Sequence, residues 1–384
     1  MGVEAYDAMI QSIIKRSEKL KQKKKRKDNN SNNDSDTNKR EEGQKNKGKL
    51  KIDATVAEQM IQYPTDHGLL NKAREESERL IDQLYKETEL GKKPRTYRRK
   101  ARSDYLAFSK KRKKTQKEIR KAVGKQIRYL RRNIGHIHNL LDILKAKPFP
   151  LSQRDQKIFW IIQELYRQQE EMYREKRHST KDRIVSISQP YVRPIPRGKD
   201  KASVEFGAKI GASLTEGYVR ISTLSWNAYN ESNDLEKQVE QYKELYGYYH
   251  EVVMADKIYL NRENRKYLKG KGIRISGKPL GRPPKQESYY QKSKRRKENN
   301  ERNHIEGKFG QGKNAYGLKN IRGKRIDTSE SMIAGIFFAM NLVKCIQLFY
   351  SLIKSTNKLI QRVIKYLKPM MYLKYRSIYN VNLA

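Results

Sequence analysis

Residues 251–255 read Glu-Val-Val-Met-Ala and are followed at once by Asp256. In a chain whose charged residues make up 34% of positions, this short apolar run bounded by acids is the strongest constraint on the fold. It is the mark of a strand buried on both faces, which must lie inside a sheet with helices above and below it. Asp256 then stands at the strand's exit, where a buried sheet meets solvent.

Other segments fit around that strand. Lys49 to Val56 (KLKIDATV) alternates with period two and predicts a first strand, with Asp53 on the face opposite Leu50 and Ile52. Arg183 to Ser188 (RIVSIS) predicts another strand. Val204 to Leu214 alternates and turns at Thr215-Glu216-Gly217 into Tyr218 to Leu224, a hairpin pattern. Between the first strand and the hairpin, three helices are expected at about Leu69–Glu89, Tyr105–Lys145 and Gln153–Lys176, the last opened by a Ser152/Asp155 cap. Further helices are expected over Asp234–Tyr246, Asn261–Lys269, Tyr289–Gly307 with extension across Gly310 and Gly312, and Ser329–Leu352. Ile273–Ile275 predicts a short strand.

Charge narrows the partner. The chain carries 86 Lys plus Arg against 43 Asp plus Glu, a formal charge of +43. A polyanion is the natural counterpart, since each cation placed on a phosphate releases counterions. From Lys92 to Arg132 there are 19 Lys and Arg and only two acids, Asp104 and Glu118. That stretch predicts a helix with one packed face and a phosphate-binding remainder, with Arg98, Arg99, Lys113 and Lys117 as phosphate contacts. One cysteine, Cys345, excludes an internal disulfide and a cysteine-based zinc site, and points to a reducing cytoplasmic compartment. Charges at Glu4, Asp7, Lys15, Arg16, Glu18 and Lys19 argue against an N-terminal signal, and Met332–Met340 is too short for a bilayer that needs about 20 residues. No membrane partner is expected. Residues 1–48 are expected to be a short helix followed by a disordered basic linker from Lys21.

Three carboxylates stand out by position: Asp53 in the first strand, Asp256 at the end of the buried one, and Glu306 in a helix. If that helix persists to Lys313, Asn299, Arg302, Glu306 and Lys313 share an arc of about 60° at ~100° per residue. A carboxylate on that face would stand beside two cations, as a phosphate-facing surface requires. Carboxylates at neighbouring strand ends suit Mg2+ or Mn2+, and two such ions about 3.5–4 Å apart can serve both sides of a phosphodiester exchange. The spacing by itself is weakly specific.

The stretches KLKIDATVAEQMIQYPTDHGLLN, RIVSISQPYVRPIPRGK, VEFGAKIGAS, LSWNAYNESNDL, VVMADKIYLNRENRKYLKGKGIRISGKPLGRPPK and RNHIEGKFGQGKNAYGL make the case stronger. Together they resemble the DDE transposases of bacterial insertion sequences, in the group close to insertion sequence five. The closing piece matches the Y-x2-R-x3-E-x6-K signature as Arg302, Glu306 and Lys313, with Asn299 at the tyrosine position. The resemblance implies an α/β, RNase-H-like fold: an antiparallel three-strand unit, two further parallel strands and helices on both faces, with a large helical insertion after the first strand. It implies that Asp53, Asp256 and Glu306 are the catalytic, metal-binding triad for two Mg2+ or Mn2+ ions, with Arg302 and Lys313 on phosphate. It further implies double-stranded DNA, both transposon ends and target, as the partner of a homo-oligomer on DNA in the nucleoid.

Family members carry a helical DNA-binding domain before the first aspartate, so this chain reads as N-terminally shortened. The expected division is 1–48, a catalytic domain 49–350 interrupted by a basic helical insertion at 57–180, and a basic tail 351–384. The principal expectation is metal-dependent strand cleavage and strand transfer. The alternative is an inactive, truncated remnant that only binds DNA. Several residues fit plainer roles: His136 and His138 point apart on a helix, His304 lies about 200° from Glu306, and Trp160 and Trp226 read as packing residues. Gly281-Arg282-Pro283 reads either as a Pro/Gly turn or as a minor-groove hook, and Arg282 is retained as a DNA contact.

Overall fold

The computed structural model describes residues 2–29, 46–145, 149–196, 204–278, 281 and 288–380. Its centre is a mixed sheet of β1 (Lys49–Glu58), β2 (Arg193–Pro196), β3 (Val204–Thr215), β4 (Tyr218–Ser225), β5 (Val252–Met254) and β6 (Arg274–Ile275). β3 is antiparallel to β1 and to β4, whereas β5 is parallel to β1 and β6 to β5. β2 and β4 both lie on the outer side of β3, so the strands fill five positions across the sheet. This is the mixed α/β arrangement of an RNase-H-like fold. The hairpin turns through Glu216 and Gly217, both at positive φ (51° and 90°), which matches the right-handed twist of the flanking strands.

Two features of the sheet depart from expectation. Arg183 to Ser188 forms no strand. Ile184 packs with the helical core, Val185 with the sheet core, and the Ile184 N–H donates to Gln168 Oε1 at 2.9 Å, so the segment bridges two cores instead of joining a ladder. The strand in this region is Arg193–Pro196, whose two prolines cannot donate and are tolerated because the strand is at an edge. Gly207, opposite Glu58, lets β1 and β3 close: a Cβ there would stand 1.9 Å from the Ala57 carbonyl oxygen.

Helices follow β1: α2 (Asp66–Lys86), α3 (Arg98–Ser109), α4 (Gln116–Leu144) and α5 (Gln153–Glu175). The single helix expected over Tyr105–Lys145 is therefore two. The Lys110–Lys114 run of like charges separates them, and α4 restarts on a capping box in which Thr115 and Glu118 bond reciprocally. Leu80, Ile81 and Leu84 of α2 interlock with Ile127, Leu130 and Ile137 of α4 and Ile162 and Leu165 of α5 in one buried cluster.

α6 (Leu235–Tyr246) and α7 (Arg262–Gly270) cover one face of the sheet, packing Leu235, Val239 and Leu268 against Leu50, Ile52 and Val253. α8 (Tyr289–Ala315) and α9 (Ile326–Asn380) cover the other, with Ile305, Phe309, Ile333 and Phe337 against Ala57, Ala208, Ile210 and Ala212. α8 runs unbroken across Gly307, Gly310 and Gly312. α9 is far longer than the Ser329–Leu352 expected. Its Asn341, which interrupts the apolar run in sequence, is buried and exchanges hydrogen bonds with both the N–H and the carbonyl of Val219 on β4 (2.9 and 2.6 Å).

By length and composition Ile326–Ser351 could cross a membrane, with mean hydropathy 1.8, but its first turns are committed to the sheet. α1 (Val3–Asn29) also exceeds expectation, continuing past Leu20; residues 30–45 of the expected linker lie outside the described residues. It docks through Tyr6 on Phe338 (5.8 Å between rings) and through Asp7, which takes two 2.8 Å bonds from Arg220.

Candidate active site

The β1–β5 ladder pairs Lys49 with Val252, Leu50 with Val253 and Lys51 with Met254. The ladder ends there, two residues before Asp53 on β1 and two before Asp256 beyond β5. Asp53 is half-buried and its Oδ1 accepts from the Ala54 N–H at 2.9 Å. Asp256 is exposed beyond the last paired residue. Its carboxylate caps a short 3-10 turn, Lys257–Tyr259, by accepting from the Lys257 N–H at 2.7 Å.

α8 crosses β1 on the face Asp53 shares. Glu301 reaches Lys49 (2.8 Å) and Lys51 (3.3 Å) at the strand's start, and Lys313 reaches Glu58 (3.6 Å) and Glu205 (3.3 Å) at its far end. Arg302 and Glu306 come between, joined at 2.9 Å. The helix persists through Lys313, so the four signature positions do share a face. The two signature cations are separated in role: Arg302 stands by the carboxylates, while Lys313 is held by acids at the opposite end of β1.

The electrostatics single out Asp53. Burial pushes its carboxyl up from 3.8 to about 6; the Ala54 N–H and Arg302 oppose the rise, and the nearby charges of Glu231 and Glu306 reinforce it. Glu231 was not among the expected site residues. It begins a 3-10 turn, Glu231–Asp234, where Lys209 of β3 binds its carboxylate at 2.8 Å. Beside it, Asp234 accepts from Tyr229 (2.7 Å) and Thr223 (2.9 Å). The only sequence signal for this second acidic layer was its place within LSWNAYNESNDL.

Carboxylate oxygens are the right donors for Mg2+ or Mn2+, and Asp53 is a half-buried acid whose ionised form is disfavoured chiefly by burial. The donor set fits such an ion. Among the described residues, no three His, Cys, Asp or Glu side chains are arranged to hold a metal between them. Mg2+ needs only one or two carboxylates when water and phosphate complete its shell.

The expected phosphate contacts differ in availability. Arg99, Lys113 and Lys117 are exposed. Arg98 is tied to Asp82 (2.7 Å) and Glu78 (3.5 Å), fastening α3 to α2. Arg282 lies outside the described residues. His138 contacts Gln163 at 3.2 Å, while burial lowers His136, so the two histidines form no joint site. His304 is exposed. Trp226 is buried against Tyr191 and donates to Glu330 at 2.8 Å, as a packing residue should. Trp160 is 68% exposed, contrary to its expected packing role, because Phe159 and Ile162 take the inward positions of α5.

Residues 253–343 match the family model described as a Transposase DDE domain. No curated protein and no solved structure shows a significant match. The matched stretch contains Asp256, Arg302, Glu306 and Lys313 and supports placing the chain with a DDE transposase family. It points to transposase function and to a nucleotidyl-transfer or endonuclease class of enzyme.

Proposed function

We propose that the protein is a divalent-metal-dependent DDE transposase, close to the insertion-sequence-five group, that cuts and joins DNA at transposon ends. One observation carries the reading. The family-model match begins after Asp53, yet the strand that carries this aspartate pairs in parallel with the one that leads to Asp256, and Asp53 lies within the field of Glu306.

On this reading Asp53, Asp256 and Glu306 would hold two Mg2+ or Mn2+ ions, which would supply Lewis-acid stabilisation of the attacking and leaving oxygens. Asp53, within β1, and Asp256, just beyond β5, would face the scissile phosphate from neighbouring strands, with Glu306 on α8. Arg302 passes from Glu306 to a phosphate oxygen when DNA is bound, positioning the backbone without reading sequence. In cleavage a water oxygen bonds to phosphorus, the P–O3′ bond breaks, and the 3′-oxygen leaves as a hydroxyl. In strand transfer that hydroxyl attacks a target phosphodiester and releases the target's own 3′-oxygen. The insertion helices, through Arg99, Lys113 and Lys117, carry flanking phosphates, and the catalytic unit is 49–350 with 57–180 inserted.

The test is cleavage and joining of a labelled duplex bearing the neighbouring element's end, with Mg2+ or Mn2+. Wild type should perform both steps, and Asp53→Asn, Asp256→Asn and Glu306→Gln should lose both while still binding DNA. Salt-sensitive binding with no cleavage under either metal would instead identify a DNA-binding remnant.

A further inference from the structure

α8 is fastened to the sheet over only part of its length. Its first buried residue is Glu298, which takes a 2.6 Å bond from Arg274 of β6; beyond it Glu301 reaches Lys49 and Lys51, and Ile305 and Phe309 enter the core. The segment before that anchor, from Tyr289 to Lys297, buries no side chain. At 1.5 Å per residue it carries the helix roughly 14 Å past Glu298 as an arm. Tyr289 and Tyr290 stand at its tip, 87% and 71% exposed.

The composition of the arm is unfavourable for a helix left in water. From Ser288 to Lys297 the cations are Lys292, Lys294, Arg295, Arg296 and Lys297, and there is no acid. Lys292 lies three and four residues from Arg295 and Arg296, spacings at which like charges repel, and no acid in the first turn complements the helix dipole. A polyanion laid along the arm removes both costs. Its direction is also set: at ~100° per residue Lys292, Arg295, Asn299, Arg302 and Glu306 fall within an arc of about 80°, so one line of side chains runs from the candidate site out to the arm.

We propose that this arm grips the backbone of the same DNA duplex about seven base pairs from the scissile phosphate. The proposal rests on the DNA reading above for the identity of the polyanion, and it adds a second contact at a fixed distance from the first. Gln291 and Glu306 are separated by about 22 Å along the helix axis, which spans between six and seven base-pair steps of about 3.4 Å. Because one helix carries both positions, the spacing between site and arm is built into α8 and does not depend on how the insertion helices sit. Lys292 and Arg296 supply charge to the phosphates, the Tyr289 and Tyr290 hydroxyls donate to phosphate oxygens, and their rings lie against the sugars. Such contacts fix the register of the duplex on the protein and carry no base-sequence information.

Two tethered probes test this on the full-length protein without requiring it to cut DNA. In a Cys345→Ser background, iron–EDTA attached at Glu306→Cys marks where the candidate site meets DNA, and the same probe at Gln291→Cys marks the arm; ascorbate then releases hydroxyl radicals that nick the nearby backbone. On the labelled end duplex the two probes should nick patches about seven base pairs apart. A probe at Gln291→Cys that leaves the DNA intact, or nicks it in the same patch as the probe at Glu306→Cys, overturns the arm while the DNA reading stands. If neither probe nicks, the DNA reading falls and the arm with it. Separately, Lys292→Ala/Arg296→Ala should unfold at the wild-type temperature, since both side chains are exposed, and should lower the slope of log affinity against log salt by about 2. An unchanged slope would overturn the proposal.

Discussion

Asp53→Asn should make the metal-free protein more stable at neutral pH while abolishing its chemistry. In the folded chain burial and the neighbouring acids lift the Asp53 carboxyl from 3.8 to about 6. The folded state therefore holds this proton more tightly than the unfolded chain, so the stability linked to it is present below pH 3.8 and is lost as pH rises through about 6. At 1.36 kcal/mol per pH unit the loss is about 3 kcal/mol, complete at about pH 8. Asparagine keeps an oxygen for the Ala54 N–H and carries no charge to desolvate. Urea unfolding in chelator should therefore show the variant about 3 kcal/mol more stable at about pH 8, with the gap closing towards about pH 4. Mg2+ should close it differently, stabilising wild type by about 2.7 kcal/mol at a hundredfold excess over Kd and the variant much less. A variant no more stable than wild type at about pH 8 in chelator would refute the reasoning, because Asp53 would then be ionised at no cost.

Three further substitutions test the frame around the site. Gly207→Ala drives a Cβ to 1.9 Å from the Ala57 carbonyl oxygen, so β1 and β3 must separate; urea unfolding should show a loss of about 2–4 kcal/mol. Asn341→Leu strands the Val219 N–H and carbonyl in a buried position and should cost roughly 2–5 kcal/mol, read as a lower thermal midpoint. His67 is buried between Tyr105 and Phe108, with both ring centroids at 4.7 Å, and burial together with Lys114 pushes it down from 6.5 to about 4. Its folded state resists protonation, so stability should fall by up to about 3 kcal/mol as pH drops from 6.5 to about 4. His67→Phe should flatten that part of the pH profile.

The elements best legible in sequence were those whose side chains all answer to one neighbour. Val252–Met254 is buried on both faces and announces itself by composition, and Val204–Thr215 with Tyr218–Ser225 announces itself by alternation and the Glu216-Gly217 turn. Legibility failed where two signals competed. Apolar spacing from Leu106 to Ile134 argued for one helix, while the Thr115/Glu118 box, equally present, argued for a break; the lysine run decided for the break. Arg183 to Ser188 has a strand's residues but lies between two cores that each claim alternate side chains. At the site, Asp256 stood out at a strand exit, and Asp53 and Glu306 were joined to it by the resemblance. Glu231 did not stand out, because its proximity to Asp53 depends on how the turn after β4 folds back over β3. There Gly211 leaves room for Asp234: a Cβ would meet its Oδ2 at 2.2 Å.

Most ion-paired carboxylates of this chain hold their proton weakly, and Asp53 does not. Asp7, Asp82, Asp104, Asp155 and Glu301 all lie beside a cation, and for each the partners more than offset burial, so the carboxyl is held low. Glu78 is lifted by burial, yet Arg74 clasps it within α2, and its place there is explained by packing. Asp53 is lifted without such a clasp: Arg302 reaches it only as a distant charge, being bonded instead to Glu306, and Lys209 is bonded to Glu231. A protein with +43 of formal charge had ample lysine and arginine with which to neutralise one aspartate. Burial makes the ionised form of this aspartate costly to stability, and an added divalent cation would relieve that cost.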